Sequence, residues 1–345
     1  MTLFSEISEQ PERIQDLLLS QRKNIERIAA EIKKREVGYV FLAARGTSDN
    51  AGRYANYLLG AMNGLPLALA TPSLFTYYKR PPVLKNALMI GISQSGMSPD
   101  IVSVLEEGRR QGCMTLSITN ESHSPLAQTS DFVLDIRAGA EKAVAATKTY
   151  TTELMSVAML STALSGNQKQ WTELGKVPAW MREVCKQNEF IAQAAQRYRY
   201  MDQTVVLGRG FNYSTAFEWA LKLKELTYIT AEPYSSADFA HGPIAIVESG
   251  YPVFAVAAKG KVFNSMLGML ERLRSGIAAE LIVISNDKRA LSLAQVPLKI
   301  PTDVPEWLSP LVNILPAQLF AYHLTRAKGY STEQPRSIHK VTETK

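Results

Sequence analysis

Cysteine is scarce: Cys113 and Cys185 are the only two in 345 residues, and they have no metal-ligand spacing. That excludes a disulfide framework and suits a reducing compartment. No apolar run approaches the roughly 18 residues needed to cross a bilayer. The opening "MTLFSEISEQPERIQDLL" carries glutamates where a secretory leader would have an apolar core. The expectation is a soluble, cytoplasmic protein with no membrane partner. Basic residues exceed acidic ones by six, yet no run of five or six cations occurs. A nucleic-acid arm is therefore not expected. The mild positive balance fits an anionic small substrate or plain solubility equally well. Nucleotide motifs are missing too. There is no GxxxxGK[ST], and "GRGFNYS" lacks the third glycine and the acid of a dinucleotide fingerprint.

What is present is core-forming sequence. Hydrophobic residues make up 46% and charged residues 20%, so the chain can bury real cores, and its length suits two domains. Short runs rich in Val, Ile and Leu alternate with helical patterns. They are "YVFLAA", "ALMIGI", "MTLSIT" and "FVLDI", then "TVVLG", "PVFAVAA", "LIVIS" and "PLKI". This alternation predicts parallel sheets covered by helices on both faces. The two sets of four match in order and spacing. Gly46 and Gly210 are 164 positions apart, Gly96 and Gly260 again 164, Asn120 and Asn286 166. The fold class is α/β, with two tandem α/β/α units. The expected organisation is an amphipathic helical segment over 1–34, with Pro11 at the start of its helix, a first unit over 35–165, a helical connection over 166–199, a second unit over 200–330 and a polar tail over 331–345.

In open parallel sheets ligands sit outside the carboxyl ends of the strands. In the first unit those positions read "RGTSDN" with Thr47 and Ser48, "SQSGMS" with Ser93, Gln94, Ser95 and Ser98, and "VAATKT" from Val144. Small residues let backbone N–H groups approach an anion, a helix N-terminus adds partial positive charge, and hydroxyls donate further bonds. A phosphate cradle is the reading that explains three such loops. Ser98-Pro99-Asp100 reads as a helix N-cap, Pro at the first position and an acid in the first turn. The second unit has "RGFNYS" and "AAKGKV" instead, with far fewer hydroxyls.

Acid–base groups gather elsewhere. In "TAFEWALKLKELTYITAE", Glu218, Lys222 and Glu225 share one helical stripe beside an apolar stripe of Trp219, Leu223 and Leu226. The charges read either as a solvated pair or as the lining of a cleft or subunit contact. His241 in "FAHGPIAIV" is either a cap or an acid–base group. His123 and His323 are given no function.

Together these stretches resemble the sugar isomerase (SIS) family, and in particular the isomerase half of glucosamine-6-phosphate synthase and its stand-alone relatives. The motifs are "RGTS", "SQSG", "VAATKTYT", "GRGFNYSTAFEWALKLKELTYITAE", "HGPIAIV" and the C-terminal "PR…K", and they cover essentially the whole chain. The resemblance implies tandem α/β/α units, usually dimeric with shared active sites, that bind a hexose 6-phosphate with no metal and no organic cofactor. It implies that Thr47, Ser48, Ser93, Gln94, Ser95 and Ser98 hold the phosphate and nearby hydroxyls, with Val144 lining the site through its backbone. It implies that Glu225 is the base moving a proton between C1 and C2. His241 would assist ring opening, Glu218 and Lys222 would position sugar and base, and Lys340 would meet the open-chain carbonyl.

Departures from the synthase pattern direct the functional expectation. The synthase carries an N-terminal glutaminase opened by a catalytic Cys, whereas the sequence here opens Met1-Thr2-Leu3. No use of glutamine is therefore expected. "SQSGMSPD" replaces the usual "SQSGET", and Ala146 stands where the synthase often has Ser. "ARGTSDNAG" and "SQSGMSPD" look more like the family's stand-alone amino-sugar phosphate deaminases. The expected function is glucosamine-6-phosphate deamination to fructose 6-phosphate and ammonia. The alternatives are an aldose–ketose isomerase or fructosamine-6-phosphate deglycase, and, in another class, a sugar-phosphate sensor without turnover.

Overall fold

A computed structural model describes residues 2–338 and residue 340. The chain forms two compact units. The first repeat's unit contains Glu12–Glu141, Lys148–Gly175 and Lys340. The second repeat's unit contains Lys142–Thr147, Lys176–Ile338 and the N-terminal segment through Pro11.

The first repeat builds a parallel sheet from β1 (Tyr39–Ala43), β2 (Leu67–Leu69), β3 (Ala87–Ile92), β4 (Met114–Thr119) and β5 (Phe132–Asp135), in the order β2-β1-β3-β4-β5. Every residue of β3 and β4 is buried. Both faces of these strands are covered; β3 carries no polar side chain, while β4 alternates apolar residues with the buried hydroxyls of Thr115, Ser117 and Thr119. Leu88 pairs with Val40 and Met114, which fixes the register at the sheet centre. One face packs Met89, Ile101, Val104, Leu105 and Leu126 into a core.

The second repeat repeats this topology. Its strands are β6 (Gln203–Gly208), β7 (Thr230–Ser235), β8 (Pro252–Val256), β9 (Glu280–Ser285) and β10 (Val296–Lys299), in the order β10-β9-β8-β6-β7. Val205, Val253 and Leu281 belong to its core, with Phe239 and Leu270 packed on them.

Each sheet holds one strand more than the four apolar runs predict. The extra strands β2 and β7 are edge strands, each paired with a single neighbour. Three residues form β2, and β7 contains Pro233 and an exposed Glu232, so neither carries the signature of a buried strand. The N-terminal segment also differs from expectation. A short helix Leu3–Ser8, capped by Thr2, precedes the long helix Gln10–Lys34, and Pro11 sits second in that helix. Among the described residues no helix is long and apolar enough to cross a membrane. The tail expected over 331–345 is only partly covered, because 339 and 341–345 lie outside the described residues.

Candidate functional site

Strand order locates the first set of residues. In a 2-1-3-4-5 sheet the connections from the first and third strands leave in opposite directions, opening a crevice at the carboxyl ends of β1 and β3. "RGTS" follows β1 and "SQSGMS" follows β3, so both loops flank that crevice.

Backbone geometry shapes the second loop into a concave turn. Ser93 Oγ accepts from the Gly96 N–H at 3.1 Å, and Ser95 Oγ accepts from the Met97 N–H at 3.3 Å. The Gln94 carbonyl accepts from the Asn120 N–H at 3.2 Å. Gly96 has φ +61°, and a Cβ there would lie 2.0 Å from Ser124 Oγ, so no other residue fits. Ser93 is buried, while Gln94, Ser95 and Ser98 are half-buried. Ser98 is the N-cap of helix Pro99–Arg110 by backbone conformation, but its hydroxyl makes no capping bond. That corrects the expectation of a side-chain cap. In the first loop, half-buried Thr47 and buried Ser48 open helix Gly46–Asn63, and Ser48 Oγ donates to Glu153 Oε1 at 2.8 Å.

Arg45 and Asp100 join the two loops. Arg45 Nε contacts Asp100 Oδ2 at 2.7 Å, with the guanidinium 52% exposed and the carboxylate fully buried. The acid in the first turn accepts from the Ile101 N–H at 2.9 Å through Oδ1 and anchors the arginine through Oδ2. The exposed part of that guanidinium is positive charge beside the hydroxyls, suited to an oxyanion.

In the same unit Lys340 Nζ meets Glu141 Oε2 at 2.6 Å. Glu141 is buried and also accepts from the Thr149 N–H at 3.1 Å and the Thr149 hydroxyl at 2.8 Å.

The acid–base stripe lies in the second repeat's unit, on helix Tyr213–Thr227. Lys222 Nζ is 3.3 Å from Glu218 Oε1 and 2.6 Å from Glu225 Oε2. Glu218 and Lys222 are 0% and 1% exposed, so the solvated-pair reading does not hold. Glu225 keeps 24% exposure and is the member of the triad open to a ligand. Burial pushes the Lys222 ammonium down, but the charges of Glu218 and Glu225 and their hydrogen bonds outweigh it. The lysine is held above its ordinary value and stays charged.

The same unit holds His241 and Val144. His241 is exposed, immediately after the short helix Ser236–Ala240. Among the described residues no hydrogen bond or ion pair joins its ring to the Glu218–Lys222–Glu225 triad. Val144 is half-buried in a segment fastened by Glu6, whose carboxylate accepts from the Lys142 N–H at 2.6 Å and the Ala143 N–H at 3.2 Å. Arg336 also belongs here: its N–H donates to Tyr228 Oη at 2.9 Å, and its guanidinium stacks over the Tyr228 and Tyr330 rings at 4.4 and 5.0 Å. The polar tail is therefore anchored at Arg336 by stacking, which its lack of apolar side chains does not suggest.

Glu6, Arg45 and Glu141 were missed in the sequence. For Glu6 a signal exists: it shares the i, i+3, i+4, i+7 stripe of Leu3, Ile7 and Gln10, so a charge stands on a buried face.

Comparison with known proteins decides the family. The SIS domain family model matches residues 35–163 and 199–327, one match in each repeat. The chain belongs to the SIS domain family. This SIS-family chain is 33% identical over 351 residues to glutamine–fructose-6-phosphate aminotransferase [isomerizing] of Thermus thermophilus, matching 98% of itself and 58% of that protein. It thus spans under three fifths of the length of the curated relatives it matches. The C-terminal domain of glucosamine-fructose-6-phosphate aminotransferase from Francisella tularensis superposes with a TM-score of 0.88 at 29% identity, covering 96% of this chain and 98% of that one. Glucosamine-6-phosphate deaminase from Thermotoga maritima gives 0.78 at 20% identity with full coverage of both chains, a likeness of fold.

Proposed function

We propose that this SIS-family protein is an enzyme acting on a hexose 6-phosphate, and specifically a glucosamine-6-phosphate deaminase. One observation carries the reading. On helix Tyr213–Thr227 a lysine and a glutamate are fully buried, while the carboxylate they neighbour, Glu225, remains partly open. Desolvating an ion pair costs several kcal/mol per charge, which a merely solubilising pair would not need to overcome. A partly open carboxylate hydrogen-bonded to a fixed ammonium suits proton transfer.

In the proposed reaction Ser93, Gln94, Ser95 and Ser98, with Thr47 and Ser48, bind the 6-phosphate. His241 assists ring opening to the aldehyde. Glu225 takes the C2 proton, giving an enolamine, and returns it to C1, which yields the imine of fructose 6-phosphate. Water adds at C2 and ammonia leaves, producing fructose 6-phosphate. Lys222, held charged by Glu218, positions sugar and base, and Lys340 meets the carbonyl end. Val144 lines the site through its backbone. We extend the proposal to a cytoplasmic homodimer with shared active sites, as the family resemblance implies.

A second reading is favoured by the aminotransferases at 33% identity. It is the same proton transfer run toward the amino sugar, from fructose 6-phosphate and ammonia. Incubating the purified chain with glucosamine 6-phosphate, and separately with fructose 6-phosphate and ammonium, tests both. The deaminase reading expects equal amounts of ammonia and fructose 6-phosphate from the first mixture. Net amino-sugar formation alone supports the reverse reaction, ketose–aldose interconversion without ammonia supports an isomerase, and binding without turnover supports a sensor.

A further inference from the structure

The loop after β8 stands where the hydroxyl-rich loop stands after β3, and it already holds an anion. The Glu306 carboxylate accepts from two consecutive backbone amides, Lys261 N–H at 2.8 Å and Val262 N–H at 3.4 Å. These amides lead into helix Phe263–Glu271, whose positive end faces the same way. Close approach is built in. A Cβ on Gly260 would lie 2.0 Å from the Glu306 carboxyl carbon and 2.3 Å from Oε2, so a glycine is required for the carboxylate to rest against the loop. Gly260 is the repeat partner of Gly96, 164 positions away. In the first repeat the corresponding amides are those of Met97 and Ser98. Met97 N–H donates to Ser95 Oγ, and among the described residues no carboxylate accepts from either amide.

We infer that the second repeat retains an anion-binding loop of the phosphate-accepting kind, and that Glu306 is its internal occupant. Two consecutive amides, a helix N-terminus and a glycine that admits an oxyanion at close range form a nest. The carboxylate seated there is the direct sign that an oxyanion fits. The chain supplies that ligand from 45 residues away, from a segment held by a second contact: Ser309 Oγ donates to the Glu306 carbonyl at 2.7 Å and accepts from Asn212 Nδ2 at 2.7 Å. Trimming the side chain therefore leaves the segment's backbone anchored. Lys259 and Lys261 are exposed beside the loop, so removing one negative charge leaves a net positive pocket. Glu306 thereby keeps the second repeat from taking a phosphosugar of its own and limits each chain to the site of the first repeat. Only that last statement rests on the proposed function; the occupied nest does not.

The test uses the full chain and radiolabelled inorganic phosphate in equilibrium dialysis. Wild type, E306A, E306Q and the E306A/K261E double variant are compared at fixed ionic strength. Crystals soaked in tungstate locate the added site. The expected result is one additional equivalent per chain in E306A and E306Q, with at least tenfold tighter binding at this loop than in wild type. Tungstate should lie within hydrogen-bond distance of the Lys261 and Val262 amides, and K261E should remove the gain. The number bound by wild type reports on the first repeat, and the difference between variant and wild type reports on Glu306, so the two readings fail separately. Equal stoichiometry in cooperatively folding variants overturns the inference. So does the failure of both E306A and E306Q to fold, because the carboxylate would then be a structural strut.

Discussion

The loops Ser93–Ser98 and Ala257–Val262 occupy the same place in two copies of one topology and present opposite chemistry. The first is lined with hydroxyls, tied across its crevice by Arg45 and Asp100, and offers donors. The second has lost its hydroxyls and satisfies its amides with Glu306. The repeated sheet thus explains where a ligand can be held, and the loop residues decide whether one is. The acid–base groups show the same divergence in reverse. Helix Tyr213–Thr227 of the second repeat carries Glu218, Lys222 and Glu225, whereas helix Gly46–Asn63 of the first opens on Thr47 and Ser48.

The comparison is broken most severely at Glu225. Glu225→Gln keeps the shape and removes the proposed proton acceptor, so turnover should fall about 10³-fold or more while phosphosugar affinity is largely kept. Exchange of the C2 proton with solvent, followed by NMR in heavy water, should stop; exchange at the normal rate would pass the role to Glu218. Next comes Lys222→Met, which leaves a buried carboxylate without its ammonium and should cost about 3–5 kcal/mol of stability. Because the folded lysine is held above its ordinary value, the ion pair's contribution is fully present below about pH 10 and is lost as pH rises through the folded value. Urea midpoints of wild type and variant should therefore converge only in strongly alkaline buffer.

Third in size are the hydroxyls. On the proposed phosphate site, Ser93→Ala and Ser95→Ala each remove a hydrogen bond to a charged group worth about 1.5–3 kcal/mol, so each should raise KM about 10- to 100-fold. Ala257→Ser and Lys259→Ser at the matching positions of the second repeat should leave KM unchanged; a shift there would erase the distinction between the two loops. The smallest effect is expected from Arg336→Ala. It removes the stacking on Tyr228 and Tyr330, worth about 0.5–1 kcal/mol at an exposed site, and should lower the thermal midpoint slightly. Deleting 337–345 takes Lys340 from the buried Glu141, which keeps its Thr149 donors, and should lower the midpoint only modestly yet abolish activity; full activity would remove the tail from the site.

Sequence by itself determined the eight principal strands, their division into two repeats and the positions of the hydroxyl-rich loops. Each of these is a local matter, since apolar runs bounded by small residues can be read over five to ten positions. The Glu218–Lys222–Glu225 stripe was legible for the same reason, as helical spacing is a short-range property. Whether that stripe met water or protein was not legible. It depends on the strands and helices packed against the helix, and only the tertiary structure buries Lys222 to 1% exposure. The edge strands β2 and β7 escaped notice because a neighbour on one side, not their own composition, makes them strands. Arg45 with Asp100, Glu6 with the amides before Val144, and Glu306 with the Lys261 amide are contacts between residues 45 to 137 positions apart. No local pattern encodes them. Sheet order brings together the loops of strands that are not consecutive in the chain, such as β1 and β3, and a buried carboxylate then takes whichever donors the fold sets within reach.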